Sequence, residues 1–159
     1  MTGAAERKAR AGSREMQRVV TLLGGTPVLR DAPETFLDAH EMLVRGLPGR
    51  ALDHLMGTLV ILKRDSLEKA IGMSLRTFQR RKTAPMKPLN LEQSGRTWKF
   101  AEILARATEV FGTQEEAERW LNRPATGLDQ RRPIDLLATP AGVEMVEQFL
   151  TRLEYGVYA

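Results

Sequence analysis

Apolar residues recur at helical spacing along most of the chain, and no segment alternates apolar and polar residues as a half-buried strand does. Glycine, proline or a capping residue marks the end of most of these segments. The pattern predicts helices over residues 33–44, 50–62, 65–71, 74–82, 90–111, 113–121 and 140–155. We therefore predict an all-α fold.

Two short helices near the middle of the chain are separated by a glycine. Asp65 and Glu68 have the spacing of a capping box at the start of the first helix. Gly72 ends it, because glycine readily adopts the left-handed conformation that follows a helix, and Ser74 can cap the second helix. This is the spacing of a helix-turn-helix, although Glu68 stands where many such motifs have alanine. Four apolar residues are expected to fill the angle between the helices: Leu67, Ile71, Met73 and Phe78.

Positive charge is concentrated on this motif. Residues 63–87 carry eight basic and two acidic residues, whereas residues 101–159 carry six basic and ten acidic residues. Such clustering is typical of a surface that binds phosphate, although charge alone is equally consistent with a solvated basic face. The motif favours DNA contact, and the candidate DNA-binding residues on its second helix are Ser74, Arg76, Thr77, Gln79, Arg80 and Lys82.

Several other classes of site and protein find no support in the composition. The chain has no cysteine, which excludes disulfides and thiolate metal sites and fits a reducing compartment such as the cytoplasm. No apolar run approaches the roughly 20 residues that span a bilayer, and the basic N-terminus lacks the apolar core of a signal peptide. We predict that residues 1–30 form a basic, flexible arm. His40 and His54 lack a ligand pattern around them, so we predict no metal, cofactor or catalytic residue.

The C-terminal third carries a series of short motifs in order. They are Phe111-Gly112, Trp120-Leu121, Arg132 to Leu137, Thr139 to Gly142 and Leu153 to Ala159. This series resembles the toxin-binding domain of the Xre/MbcA/ParS antitoxin family. Further upstream, Arg45 to Pro48, Thr77 to Arg81 and Leu91 to Ser94 resemble the Xre-like DNA-binding half of the same family. The resemblance predicts a DNA-binding domain over residues 31–98 and a toxin-binding domain over residues 99–159.

The resemblance also implies a function. Antitoxins of this family are encoded beside RES-domain toxins, which consume NAD or use it to modify a target. The antitoxin covers the active-site entrance of the toxin, and the complex represses its own promoter. We therefore expect a type II antitoxin whose partners are a RES-domain toxin and operator DNA, with a homodimer inside the hetero-oligomer because such motifs usually read two half-sites. The alternative is a stand-alone transcriptional regulator with a C-terminal dimerisation domain, and an enzyme is the weakest class.

The aromatic residues near the C-terminus allow two interpretations each. The candidate toxin-binding residues are Tyr155, Gly156, Val157, Tyr158 and Ala159. Physical chemistry alone leaves open whether this apolar chain end packs on its own domain or docks into a partner, and the resemblance favours docking. Trp120 is either a partner hot spot or a core residue, and its helical spacing from Ala117 and Leu121 favours the core.

Overall fold

The structure is a computed structural model that describes residues 2–156. Its helices are α1 (Thr2–Leu22), α2 (Thr26–Leu29), α3 (Phe36–Arg45), α4 (Gly49–Thr58), α5 (Arg64–Ile71), α6 (Leu75–Arg81), α7 (Leu91–Phe111), α8 (Gln114–Leu121), α9 (Pro133–Leu136) and α10 (Pro140–Glu154). Residues 2–156 contain no strand, only the isolated bridges Pro48–Pro88 and Ala125–Arg131. The all-α prediction is confirmed.

Helix α7 forms the centre of the fold. It begins at the Asn90 cap, whose side chain accepts a hydrogen bond from the Gln93 amide at 2.8 Å, and it ends at Gly112 with φ 93°. Helices α1, α3, α5, α8 and α10 all pack against it. Its buried positions include Phe100, Ala101, Ile103, Leu104 and Ala107. The predicted domain boundary between residues 98 and 99 falls inside this helix, so the two halves share one continuous core.

The N-terminal segment differs from the expected flexible arm. Residues 2–22 form helix α1, and its C-terminal part packs on α7. Met16 and Val19 of α1 and Leu23 directly after it are buried, at helical spacings of three and four residues. Residues 2–11 have no large apolar side chain, so the short apolar stripe near the end of the segment was too weak to predict a helix there.

Helix α4 ends earlier than predicted. The apolar pattern continues to Leu62, but the helix ends at Thr58 and the following backbone turns toward Glu118 of α8. The Glu118 carboxylate, which is fully buried, accepts hydrogen bonds from the amides of Val60 at 3.0 Å, Ile61 at 2.9 Å and Leu62 at 3.0 Å. These amides would bond to carbonyls of α4 if the helix continued. A side chain distant in sequence therefore ends this helix and ties it to α8.

Candidate functional site

The central motif is a helix-turn-helix formed by α5 and α6. Gly72 follows α5 in the left-handed conformation, with φ 70° and ψ 35°. Ser74 begins α6, and its hydroxyl accepts a hydrogen bond from the Thr77 amide at 3.2 Å. The four apolar residues expected between the helices are all buried: Leu67, Ile71, Met73 and Phe78. The predicted motif and its packing are confirmed.

Glu68 has a different role from the predicted capping box. Helix α5 begins at Arg64, and the Asp65 carboxylate accepts a hydrogen bond only from the neighbouring Ser66 amide, at 2.9 Å. The Glu68 carboxylate instead accepts from the Leu75 amide at 2.6 Å, in the first turn of α6. The predicted capping box is therefore wrong. The glutamate that replaces the usual alanine joins the two helices by a hydrogen bond across the turn.

Helix α6 presents three of the candidate DNA-binding side chains on one outward face. Arg76, Gln79 and Arg80 are exposed. At 100° per residue, Arg76 and Arg80 lie opposite Phe78, which is buried, and Gln79 lies on the flank beside Arg76. The hydroxyls of Ser74 and Thr77 lie 3.0 Å apart at the start of the helix. This arrangement places guanidinium and amide groups where a groove-bound helix would meet phosphates and base edges.

Lys82 and Arg81 are set apart from that face. Lys82 follows α6 and lines a hollow together with Asp53 and Arg64. Arg81 is half-buried, and its guanidinium donates hydrogen bonds to the Lys87 carbonyl at 3.3 Å and the Pro88 carbonyl at 3.4 Å. Arg81 therefore holds the linker between α6 and α7.

The C-terminal part is built around Trp120. This side chain is 6% exposed, and its ring lies between Phe111 and Phe149 at centroid distances of 5.2 Å and 5.8 Å. The interpretation of Trp120 as a core residue is confirmed. The Thr139 hydroxyl caps α10 by accepting a hydrogen bond from the Gly142 amide at 3.0 Å, and Pro140 stands at the first helical position, where the predicted helix begins.

Charged contacts attach α10 to α7. The Lys99 ammonium lies 3.0 Å from the Glu147 carboxylate, and the Arg106 guanidinium lies 2.8 Å from that of Glu154. Nearby on α1, burial is the main cause that raises the pKa of Glu15, and the adjacent Glu102 carboxylate raises it further. The end of α10 is thus held in a fixed position by α7.

Arg96 connects the two halves, a role that the sequence analysis missed. Its guanidinium lies beside Gly72 in the turn of the helix-turn-helix, and it donates to the Ala138 carbonyl at 2.5 Å, just before α10. Because that contact joins residues 42 positions apart, no local pattern could have identified it. Arg96 therefore links the turn of the helix-turn-helix to the segment before α10.

Tyr155 and Gly156, which follow α10, are exposed to solvent. Tyr155 is 79% exposed, and Gly156 adopts a left-handed φ of 66°. Val157, Tyr158 and Ala159, the other candidate toxin-binding residues, lie outside the residues that the structure describes. The aromatic ring of Tyr155 is therefore available to a partner.

Two further features concern possible metal ligands and membrane-spanning helices. Among residues 2–156, no three His, Asp or Glu side chains are grouped so that they could hold a metal ion. His40 is exposed on α3, and His54 Nδ1 lies 3.0 Å from the Leu22 carbonyl. Within the same residues, no helix is both long enough and apolar enough to cross a membrane.

Comparison with known proteins assigns both halves of the chain. Residues 38–102 match a family model described as the antitoxin Xre-like helix-turn-helix domain. Residues 106–156 match one described as the antitoxin Xre/MbcA/ParS C-terminal toxin-binding domain. Antitoxin Xre of Pseudomonas putida is 31% identical over 132 residues, which cover 80% of this chain and 79% of the relative. The chain belongs to the Xre/MbcA/ParS family of antitoxins.

Two other proteins similar to this chain are also named as antitoxins. Antitoxin Xre of Photorhabdus laumondii is 29% identical over 117 residues, covering 73% of this chain and 78% of the relative. A Sphingobium protein named Prs ADP-ribosylating antitoxin is 30% identical over 88 residues, covering 50% of this chain and 55% of the relative. Membership of the family implies a toxin partner, and the helix-turn-helix suggests DNA binding.

The two segments that match family models, residues 38–102 and 106–156, include the described parts of both candidate surfaces. The outward face of α6 lies in the first segment, and Tyr155 and Gly156 end the second. Helix α1 precedes both segments, although Met16 and Val19 contribute to the common core.

Proposed function

We propose that this chain is a type II antitoxin that acts in the cytoplasm, neutralises a RES-domain toxin and represses its own promoter. The observation that carries the proposal is the presence of two separate accessible surfaces on one rigid core. One is the basic face of α6, and the other is the exposed Tyr155 that follows α10. Because the surfaces lie on different helices, the protein can bind DNA and toxin at the same time.

The DNA-binding part of the proposal rests on α6. Arg76 and Arg80 are exposed on its outward face with Gln79 beside them. Arginine bonds well to guanine and glutamine to adenine in the major groove, and both reach phosphates. A single short helix reads only a few base pairs, so we expect two copies on two half-sites about one helical turn apart.

The DNA test compares the salt dependence of promoter binding. Replacing Arg76 and Arg80 with alanine removes up to two phosphate contacts, which lowers the slope of log affinity against log salt by about two units. A second variant, in which Arg80 and Lys82 are replaced, tests whether Lys82 contributes from its position beside the main face. The matched control is Arg152→Ala, which removes an exposed charge from α10. Unchanged affinity and slope in both double variants would exclude α6 as the DNA reader.

The toxin-binding part rests on the chain end, Tyr155 to Ala159. The packing of Phe149 on Trp120 and the pairing of Glu154 with Arg106 support α10 as a rigid base. A segment that enters the toxin's cleft inhibits by excluding substrate, so the antitoxin needs no catalytic residue of its own. The name of the Sphingobium relative mentions ADP-ribosylation, a reaction that draws on NAD, which agrees with an NAD-using toxin as partner.

The toxin test removes residues 155–159. Because Tyr155 is 79% exposed, the truncation should leave the melting temperature and promoter binding unchanged. We expect it to abolish protection when cells express the neighbouring toxin gene, since a buried aromatic anchor contributes about 2 kcal/mol or more at an interface. Arg152→Ala again serves as the control. A truncated protein that melts normally and still protects cells would refute the role of the chain end.

A further inference from the structure

A wide groove lies between α1, the start of α3 and the ends of α7 and α10. Its volume is about 990 Å³, and it is open to solvent. Two large aromatic side chains line it, Phe36 at the start of α3 and Tyr155 directly after α10. They are 71% and 79% exposed. Exposed aromatic side chains that line one groove usually mark an interaction surface, because their burial contributes strongly to binding.

Helix α1 forms one wall of this groove. Ala5, Ala9, Gly12 and Met16 follow one another at spacings of four, three and four residues, so they lie on one side of the helix. Met16 is buried in the core, whereas Ala5 and Ala9 are exposed. No atom of a neighbouring element lies within 4 Å of the position that a Cβ on Gly12 would take. The side of α1 that packs on the core at Met16 is therefore open toward the groove in the preceding turns.

The other wall belongs to the toxin-binding domain. Arg106, Glu109, Glu154 and Tyr155 line the groove and lie within residues 106–156, which match the family model of that domain. Phe36 and the lining residues of α1 precede both matched segments. The groove therefore extends the surface of the toxin-binding domain onto parts of the chain that the family models do not include. This continuity favours the toxin as its occupant.

The charge of the groove argues against DNA as the occupant. Four carboxylates and two basic groups line it: Glu15, Glu34, Glu109, Glu154, Lys8 and Arg106. The Arg106 guanidinium lies 2.8 Å from the Glu154 carboxylate, and the Arg18 guanidinium lies 3.7 Å from that of Glu109. An excess of negative charge repels the phosphates of DNA and attracts the basic side chains of a protein partner.

We propose that α1 and Phe36 form a second half of the toxin-binding surface. In this arrangement an apolar segment of the toxin, flanked by basic side chains, lies in the groove that Phe36 and Tyr155 line. The inference rests on the proposed neutralisation of a toxin and extends its surface from the chain end to α1. The chain end blocks the cleft of the toxin, whereas the groove holds the body of the toxin in place.

Full-length variants test the groove by their affinity for the purified toxin of the neighbouring gene, measured by isothermal titration calorimetry. Phe36→Ala removes one aromatic ring. Its control is Leu37→Ala, because Leu37 is 65% exposed on the same helix but does not line the groove. Ala9→Trp fills the groove with a bulky side chain. Its control is Ala4→Trp, the same substitution on the same helix, at an exposed position about 140° around the helix from Ala9 and outside the lining.

A third pair of variants tests the charge of the groove. Glu34→Lys reverses one charge of the lining and should slow association with the toxin, because long-range attraction between opposite charges speeds encounter. The control is Glu41→Lys, since Glu41 is exposed on α3 but does not line the groove. Surface plasmon resonance measures both association rates. Equal rates for the two variants would refute a basic toxin segment in the groove.

We expect Phe36→Ala and Ala9→Trp each to bind the toxin at least about tenfold more weakly than the wild type, with both controls within about threefold of it. Melting temperature and promoter binding should stay unchanged. Wild-type toxin affinity in either variant, or an equal loss in its control, would overturn the proposal. A change only in promoter affinity or in the mass of the antitoxin alone would assign the groove to DNA or to a second copy and would also overturn it. A wild-type protein that does not bind the toxin would refute the proposed function itself.

Discussion

The buried carboxylate of Glu118 provides the sharpest test of how the two halves are held together. It is fully buried and accepts the amides of Val60, Ile61 and Leu62, and Gln114 Nε2 also donates to it at 3.1 Å. Hydrogen bonds to a charged group contribute roughly 1.5–3 kcal/mol each, and a buried donor without a partner costs about 1–3 kcal/mol. Water can reach the exposed Val60 backbone more easily than that of Leu62, which is buried.

We therefore expect Glu118→Ala to lower the free energy of unfolding by about 3–5 kcal/mol, a large part of the roughly 5–15 kcal/mol typical of a folded domain. Glu118→Gln should cost only about 1–2 kcal/mol, because its remaining oxygen can still accept the amides that now bond to Oε1. The remaining cost of Glu118→Gln has two sources. The carboxylate charge is lost, and the new side-chain amide faces the Gln114 side-chain amide, which is also a hydrogen-bond donor.

Urea unfolding followed by circular dichroism measures these differences. Glu116→Ala is the matched control, since Glu116 is exposed on the same helix and pairs only with Arg119, and a surface ion pair contributes about 0–1 kcal/mol. A Glu118→Ala variant that unfolds within about 0.5 kcal/mol of the wild type, the range of ordinary surface substitutions, would refute the role of Glu118 in joining α4 to α8.

Two further predictions concern the turn and the charge cluster. Gly72→Ala should lower the free energy of unfolding by about 1–2 kcal/mol, because it forces a left-handed alanine against the Arg96 guanidinium. The control is Gly57→Ala, in open space on α4, which should not lower the free energy of unfolding in the same urea titration. Equal losses in the two variants would contradict this reasoning. Burial and then Glu102 raise the pKa of Glu15, so its contribution to stability is present below the ordinary glutamate pKa and is lost as the pH rises through the folded-state value. Glu15→Gln should therefore gain stability relative to the wild type as the pH rises above the ordinary glutamate pKa. Unfolding experiments over a series of pH values that show no such gain would exclude this explanation.

The sequence by itself determined the features that depend on local physics. Helical spacing of apolar residues was enough to predict the all-α fold, and the Gly72 and Ser74 signals located the helix-turn-helix because a left-handed stop and a hydroxyl cap act within a few residues. The Thr139-Pro140 start of α10 was equally readable. Family motifs in the last third then predicted the antitoxin family, which the comparisons confirmed.

Only the tertiary structure decided how those elements are joined. Glu118 ends α4 and Glu68 bonds to α6, although local patterns predicted a longer helix and a capping box. Arg96 reaches a carbonyl 42 positions away, and Met16 places α1 in the core. The contacts of Glu118 and Arg96 join residues 42 or more positions apart, and Glu68 reaches across the turn to a residue seven positions on. A buried polar group is stable only where such a partner completes its hydrogen bonds. A pattern of a few neighbouring residues carries no information about that partner.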